Sequence, residues 1–192
     1  LKPASYTSLS AVELVRAFAD AGLPPGALNL VTGTGAVVGE ELAANHQVDK
    51  VAFTGSTVVG RRVMQLAAGN LKKVTLELGG KSADIVLPDA DLDLAAAGVL
   101  YGTFLHNGQI CESGTRALGH ADIYDEFLRL VLDKGKGLRQ GSQHGWNEDI
   151  GAVFWDRQMA IIEAHVEDAR AKGANILMGG RRNPDLPGLY YE

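Results

Sequence analysis

The stretch VAFTGSTVVG, residues 51–60, decides the fold of this 192-residue chain. Its first half is apolar and rich in β-forming residues, which predicts a short strand over residues 51–53. Gly55 interrupts that pattern, and Ser56 and Thr57 open a helix that we expect to run to about Ala68. A strand that turns through a glycine directly into a helix is typical of an α/β protein with a parallel sheet.

The segments on both sides of this stretch repeat the alternation of strand, short glycine turn and helix. We therefore predict an α/β fold with a parallel, doubly wound sheet, followed by a second α/β domain, both incomplete in this chain. The domain boundary is expected at Gly79-Gly80, which gives domains of residues 1–79 and 80–192. The predicted strands are residues 28–32, 51–53, 73–78, 83–87, 116–119 and 176–178, with a further strand cut short at 189–192.

Composition and charge exclude several classes of protein. The net charge of −5 gives no reason to expect a nucleic acid or an anionic membrane as partner. The longest apolar run, residues 95–105, is far shorter than the ~18–20 residues that span a bilayer. The chain opens without an apolar leader segment, and a single cysteine fits a reducing compartment, so we expect a cytoplasmic protein.

The stretch FLHNGQIC, residues 104–111, holds the only cysteine, Cys111. A lone cysteine can form neither an intrachain disulfide nor a thiolate metal cluster, and we predict no metal site. Two interpretations remain, an inert buried thiol and a nucleophile. Gly108 allows the backbone to approach closely, and Gln109 places an amide beside the sulfur, which favours the nucleophile.

A carboxylate precedes this cysteine by thirty-four residues, in the stretch LELGGKS, residues 76–82. Glu77 stands between two leucines at the end of a predicted strand. One interpretation is a strand residue that forms an ion pair with Lys72 or Lys73. The other is a general base that its apolar neighbours remove partly from water.

Taken together, the motifs E-L-G-G-K-S and F-x-x-x-G-Q-x-C, with G-S-T-x-x-G upstream, resemble the active site of the NAD(P)-dependent aldehyde dehydrogenase superfamily. The resemblance implies a Rossmann-like dinucleotide-binding domain in residues 1–79 and part of a catalytic domain in 80–192. It implies that Cys111 attacks an aldehyde, that a thioester forms on its sulfur, and that Glu77 activates the water that releases a carboxylic acid. It also implies a homo-oligomer for the full-length protein.

The resemblance further implies a binding site for NAD or NADP. A glycine between strand and helix lets a phosphate approach backbone amides, although such a turn can also be a plain structural connection. Lys2 would contact the adenosine ribose. Taken alone, Lys2 would be interpreted as a solvated charge. The implied cofactor contacts are Lys2, Ser5, Gly35, Phe53, Thr54, Gly55, Ser56, Thr57, Gly60, Glu77, Leu78 and Gly79.

Four positions depart from the family pattern. Ser5 stands where members that prefer NAD usually have glutamate, and because serine does not repel a 2′-phosphate, we predict that NADP is accepted. Glu112 and Ser113 replace small or apolar residues. If Glu112 points towards Cys111 it should raise the pKa of the thiol and change the substrate pocket, and if it points away it should do neither. His106 replaces a common asparagine, and we interpret it as a helix-end residue.

Two alternatives remain open. A CoA-acylating aldehyde dehydrogenase is disfavoured by Glu77, which such members commonly lack. A non-catalytic fragment is the other, because members of the family are more than twice as long as 192 residues. The segments that complete their oxyanion hole and hold the nicotinamide ribose have no counterpart here, so we expect the isolated chain to be inactive.

Overall fold

The protein is described by a computed structural model that covers residues 1–142 and 146–192. It divides into two compact units, Leu1–Gly79 and Gly80–Glu192. Each unit contains a two-stranded parallel sheet with helices around it. The predicted α/β fold with parallel strands is therefore confirmed.

The unit Leu1–Gly79 is built around the parallel strands β1 and β2. Its elements are α1 (Leu9–Asp20), a π-helical turn (Gly35–Gly39), α2 (Glu40–Ala44), β1 (Lys50–Gly55), α3 (Thr57–Ala67), a 3-10 turn (Ala68–Asn70) and β2 (Lys73–Leu78). Helix α3 connects the two strands, so the unit forms one strand–helix–strand crossover. Such a crossover aligns the carboxyl ends of both strands at one edge of the sheet.

The connection from α3 into β2 is secured by a buried lysine. Lys72 is 8% exposed, and its ammonium donates a hydrogen bond of 2.7 Å to the carbonyl of Asn45, just after α2. A cation at the carbonyl end of a helix is electrostatically favourable. On the surface, Arg62 of α3 donates hydrogen bonds of 3.0 and 2.8 Å to the carboxylate of Glu40 in α2.

The unit Gly80–Glu192 is built around the parallel strands β3 and β4. Its elements are β3 (Ala83–Val86), α4 (Leu92–Phe104), a 3-10 turn (Leu105–Gly108), β4 (Arg116–Gly119), a 3-10 turn (Ala121–Ile123), α5 (Tyr124–Gly135) and α6 (Asp156–Ala171). Asp91 begins α4 because its carboxylate accepts 3.1 Å hydrogen bonds from the amides of Asp93 and Leu94. None of the helices within the described residues is long and apolar enough to cross a bilayer.

The core of this unit lies between the sheet and helices α4 and α5. Val86 of β3, Ala96 and Val99 of α4 and Phe127 of α5 form its buried centre. The Phe127 ring also approaches Gly119, where a side chain would meet it at 3.2 Å. This packing sets the direction of α4, after which the chain continues to Cys111.

Three predicted strands are wrong. Residues 28–32 form no ladder, because they make only isolated hydrogen bonds with Leu1. The amino group of Leu1 donates to the carbonyl of Asn29, and the carbonyl of Leu1 accepts from the amide of Val31. Residues 176–178 are also irregular. The predicted strand at 189–192 is reduced to an isolated antiparallel bridge between Tyr191 and Arg182.

Candidate active site

The parallel register of β1 and β2 places the predicted site residues of the first unit side by side. Thr54 lies beside Glu77, and Gly55 lies beside Leu78, at the carboxyl edge of the sheet. Ligands of parallel α/β sheets bind beyond this edge. The structure therefore brings the G-S-T-x-x-G turn and the glutamate together.

The predicted partial burial of Glu77 is wrong within this unit, since its side chain is exposed. The reason is the alternation along β2: residues 74, 76 and 78 are partly buried on one face, and residues 73, 75 and 77 are exposed on the other. Glu77 forms no ion pair within the described residues, and Lys72, one of its predicted partners, is bonded to Asn45. Its carboxylate is thus available for chemistry.

The turn from β1 into α3 is shaped to accept an anion. Ser56 begins α3, and its hydroxyl accepts a hydrogen bond of 3.3 Å from the amide of Val59. The amides of Thr57 and Val58 have no carbonyl to bond in the preceding turn of an α-helix. Together with the positive end of the 11-residue helix, they can bind a phosphate.

Both glycines of this turn are required by close contacts. A side chain at Gly55 would meet the Phe53 ring at 2.5 Å, and one at Gly60 would meet Leu78 at 2.7 Å. Gly60 is buried, so α3 approaches the end of β2 closely enough to hold the helix start at the sheet edge.

A second group of predicted residues surrounds the carbonyl of Gly33. The ammonium of Lys2 donates to this oxygen at 3.3 Å, and the hydroxyl of Ser5 donates at 3.1 Å. Lys2 is also half-buried, so it is not the solvated charge that its sequence position alone suggests. Gly35 begins the π-helical turn two residues further on.

A shallow cavity of about 160 Å³ lies against this group. Four hydroxyl side chains line it, those of Ser5, Ser8, Thr32 and Thr34. No acidic side chain is among the residues that line it in the described part of the chain. Three of these hydroxyls, those of Ser8, Thr32 and Thr34, were not predicted from the sequence, although Thr32 and Thr34 flank Gly33 at the end of an apolar segment, where a ligand contact is common.

In the second unit, Cys111 occupies a turn. The amide of Ser113 donates to the carbonyl of Ile110 at 3.4 Å, so Cys111 and Glu112 are the two central residues of a β-turn. The thiol is free and exposed. The inert buried thiol is therefore not the state found in this unit.

The chain before this turn adopts an unusual backbone. His106, Asn107 and Gly108 have φ values of +51°, +60° and +73°, three left-handed residues in succession. Only glycine adopts this region without cost, and asparagine tolerates it better than most residues. Helix α4 accordingly ends at Phe104, and His106, interpreted from the sequence as a helix-end residue, follows as an exposed residue of the 3-10 turn.

Side-chain amides hold this backbone in place. Asn107 accepts a hydrogen bond of 2.7 Å from the amide of Gly151 and donates one of 3.3 Å to the carbonyl of Ala152. Gln109 accepts one of 3.3 Å from the amide of Phe154 and donates one of 3.2 Å to the carbonyl of His106. The role of Asn107 was missed, because its partners lie 44 and 45 residues away in sequence.

Glu112 points towards Cys111, which decides between the two orientations left open by the sequence. The thiol donates a hydrogen bond to the Glu112 carboxylate, with 2.8 Å between sulfur and oxygen. This hydrogen bond raises the pKa of the Cys111 thiol, and partial desolvation and the negative charge of Glu112 raise it further. The resting cysteine is therefore held as a protonated thiol.

The chain beyond the turn enters the interior at once. Ser113 is 6% exposed, and its hydroxyl has no hydrogen-bond partner among the described residues. Gly114 is buried beside Asp84 of β3, whose carboxylate would overlap a side chain at position 114. The cysteine turn is thus held on both sides, by Asn107 and Gln109 before it and by a 3.4 Å hydrogen bond from the Thr103 hydroxyl to the carbonyl of Gly114 after it.

Comparison with known proteins finds one family over the entire chain. The model of the aldehyde dehydrogenase family matches residues 1–192. The chain is 44% identical over 184 residues to an aldehyde dehydrogenase of Agaricus bisporus, an alignment that covers 95% of this chain and 37% of that relative.

Two solved structures are similar throughout the chain. A point mutant of betaine aldehyde dehydrogenase from Staphylococcus aureus, in complex with NAD+ and with a BME-modified cysteine, has a TM-score of 0.92 at 35% identity, over 100% of this chain and 40% of that one. An NADP-dependent enzyme of E. coli has a TM-score of 0.95 at 39% identity, with the same coverage of 100% and 40%. The chain therefore spans about two fifths of the length of these relatives.

Proposed function

Because this chain belongs to the aldehyde dehydrogenase family, we propose that it carries the nucleophile and the general base of an enzyme that oxidises an aldehyde to a carboxylic acid with NAD or NADP. Leu1–Gly79 acts as part of the dinucleotide-binding domain, and Gly80–Glu192 as part of the catalytic domain. The exposed thiol of Cys111, presented on a turn that is anchored at both ends, is the observation that carries this proposal.

The chemistry follows from the two side chains. The thiolate of Cys111 attacks the aldehyde carbon, and the carbonyl oxygen takes up the negative charge of a thiohemiacetal. NAD or NADP, if bound, would supply an acceptor for the hydride on this carbon, and a thioester would then remain on the Cys111 sulfur. Glu77 removes a proton from water, and the hydroxide attacks the thioester carbon. The carbon–sulfur bond breaks, the carboxylic acid leaves, and the proton held by Glu77 returns to the Cys111 sulfur.

The first unit provides the contacts expected of a dinucleotide site. The free amides of Thr57 and Val58 at the start of α3 suit the pyrophosphate. Ser56 completes this turn, and Gly55 and Gly60 keep it open. Phe53 and Thr54 end the neighbouring strand, beside the segment of Glu77, Leu78 and Gly79 to which we assign the nicotinamide end.

The hydroxyl-lined cavity supports acceptance of NADP. Ser5, Ser8, Thr32 and Thr34 offer hydrogen-bond donors, and no carboxylate among the described lining residues would repel a 2′-phosphate. Lys2 contributes a positive charge at the same carbonyl that Ser5 contacts. Steady-state turnover of the complete natural protein with each cofactor tests this point, and failure to use NADP would contradict it.

Hydrolysis is favoured over transfer to coenzyme A because Glu77 is exposed and free of ion pairs among the described residues. Adding coenzyme A to the reaction distinguishes the two outcomes. A carboxylic acid as the only product supports hydrolysis, and an acyl-CoA product supports transfer. We further propose a small-molecule aldehyde as substrate. We also propose a homo-oligomeric assembly and a cytoplasmic location, which native mass measurement and cell fractionation test.

The direct test of the proposal is detection of the covalent intermediate. The complete natural protein is incubated with oxidised cofactor and a panel of aldehydes, quenched in acid and digested, and the peptide that contains Cys111 is analysed by mass spectrometry. We expect the mass of the acyl group on that peptide only when cofactor is present. An aldehyde that is turned over while this peptide stays unmodified, even in a Glu77→Gln variant, would exclude Cys111 as the nucleophile.

A further inference from the structure

Glu112 is the one charged side chain in the described part of the chain that acts on the sulfur of Cys111. We propose that Glu112 is a positioning residue, whose carboxylate holds the proton of the Cys111 thiol and keeps the resting nucleophile in its unreactive form. The proposal rests on the proposed function only because it names Cys111 as the nucleophile. The interaction of Glu112 with the proton of the Cys111 thiol rests on the local geometry.

The hydrogen bond pairs the thiol as donor with the Glu112 carboxylate as acceptor. In this contact the thiol keeps its proton. If the thiol lost this proton to water, a thiolate would face a carboxylate at the 2.8 Å that separates the two atoms now. Like charges in contact disfavour the ionised form, so Glu112 opposes formation of the nucleophile.

The backbone works in the opposite direction. The backbone amides of Cys111 and Glu112 lower the pKa of the thiol, each by less than the Glu112 hydrogen bond or desolvation raises it. The chain before this turn is held by Asn107 and Gln109, and the chain after it by the hydrogen bond from Thr103 to Gly114. Among these influences on the sulfur, the carboxylate of Glu112 is the one that a side-chain rotation can remove.

A movable carboxylate allows control of the nucleophile. Glu112 is exposed and is held by no other hydrogen bond or ion pair within the described residues. A rotation of its side chain away from the sulfur would remove the largest influence that keeps the thiol protonated, so the thiolate would form more readily. The thiol proton then passes to water, and no redox partner is needed for this step.

The experiment is the pH dependence of alkylation of Cys111 in the complete natural protein. Iodoacetamide is the probe because it is uncharged, so the charge of residue 112 affects the thiol and not the approach of the reagent. Modified peptide is quantified by mass spectrometry for the natural protein, Glu112→Gln and Glu112→Ser. Glu126→Gln, an exposed glutamate on α5, is the control for the loss of one negative charge.

We expect both substitutions at position 112 to move the alkylation profile to lower pH and to speed alkylation several-fold at neutral pH. Glu126→Gln should leave the profile unchanged. Profiles of Glu112→Gln and Glu112→Ser that coincide with that of the natural protein would overturn the proposal. Circular dichroism and thermal melting confirm that each variant is folded, and having two variants keeps the test decisive if one of them unfolds.

The pH profile of aldehyde oxidation in the same variants separates this inference from the proposed function. If alkylation and oxidation shift together, both are supported. If alkylation shifts while oxidation does not, Glu112 still holds the proton of Cys111, and it is the role of Cys111 as nucleophile that fails. If only oxidation shifts, Glu112 acts elsewhere in the reaction, and the inference fails.

Discussion

The two regions that carry the candidate catalytic groups are built in different ways. In Leu1–Gly79, Glu77 and the turn after β1 are positioned by a parallel backbone ladder and a helix start. In Gly80–Glu192, Cys111 follows three left-handed residues, and amide side chains hold its turn against a segment more than forty residues away. Regular structure is thus enough to position the candidate general base, whereas the candidate nucleophile is positioned by a few particular side chains.

This difference has consequences for tolerance to mutation. A backbone ladder distributes its support over many bonds, so the loss of one side chain near Glu77 should alter the chemistry more than the structure. The cysteine turn depends on Asn107, Gln109 and Gly114, so single substitutions there should alter both.

The largest expected effect is that of Cys111→Ala. Loss of the nucleophile removes the covalent route, so aldehyde oxidation by the complete natural protein should fall at least about a thousandfold. Cofactor affinity, measured by fluorescence titration, should stay within a fewfold of the natural value, since its contacts are assigned to the other unit. Oxidation at near-natural rates would show that this turn does not carry the chemistry.

Glu77→Gln should separate the two chemical steps. The first turnover should still release reduced cofactor as a burst, because attack and hydride transfer do not require Glu77. Steady turnover should fall by roughly a hundred- to ten-thousandfold, because the amide cannot remove a proton from water. Rapid-mixing absorbance measures both phases, and a vanished burst in a folded variant that binds cofactor would contradict the assigned role.

Asn107→Ala should destabilise the protein by about 1–3 kcal/mol, because it removes two hydrogen bonds and places alanine in a left-handed conformation. Asn107→Gly is the matched variant. It loses the same bonds but accepts the backbone, so it should be more stable than the alanine variant by about 1 kcal/mol. Urea unfolding measures both, and equal stabilities would show that the conformation at φ +60° carries no cost.

Gly114→Ala should cost about 1–3 kcal/mol, because its new methyl group would overlap the carboxylate of Asp84. Gly98→Ala is the control in the same unit: nothing lies within 4 Å of the added atom, and the helix should gain about 1 kcal/mol. Asp84→Ala in the Gly114→Ala background should restore part of the loss. Thermal melting of the natural protein, Gly114→Ala, Asp84→Ala and the double variant measures this coupling, which would be zero if the overlap were not the cause.

The smallest expected effect lies in the first unit, at the ion pair between Glu40 and Arg62. Hydrogen bonds from Arg62 lower the pKa of the Glu40 carboxyl in the folded state. The pair therefore stabilises the folded protein at pH values above the ordinary carboxyl pKa. This stabilisation is lost as the pH falls through the lowered pKa of Glu40. Glu40→Gln should melt slightly below the natural protein at neutral pH and together with it in acid, and high salt should narrow the difference.

Regular elements were largely predictable from local patterns. The strands over residues 73–78 and 116–119 were predicted with the bounds that the structure has, and the family resemblance of the three motifs is confirmed. Residues 28–32 and 176–178 have the apolar composition of strands, yet they lack neighbours to complete a ladder. A strand needs a partner, and local sequence does not contain that information.

The sequence by itself determined the chemical groups of the candidate site: one thiol, one carboxylate at a strand end, and a glycine turn before a helix. Their types follow from composition and short-range pattern, because strand alternation and helix capping act within a few residues. Only the tertiary structure decided that Glu77 is exposed, that Asn107 anchors the cysteine turn and that Glu112 faces the sulfur. These features depend on packing against the sheet, on hydrogen bonds to distant segments and on one side-chain rotation, none of which leaves a periodic trace in the sequence.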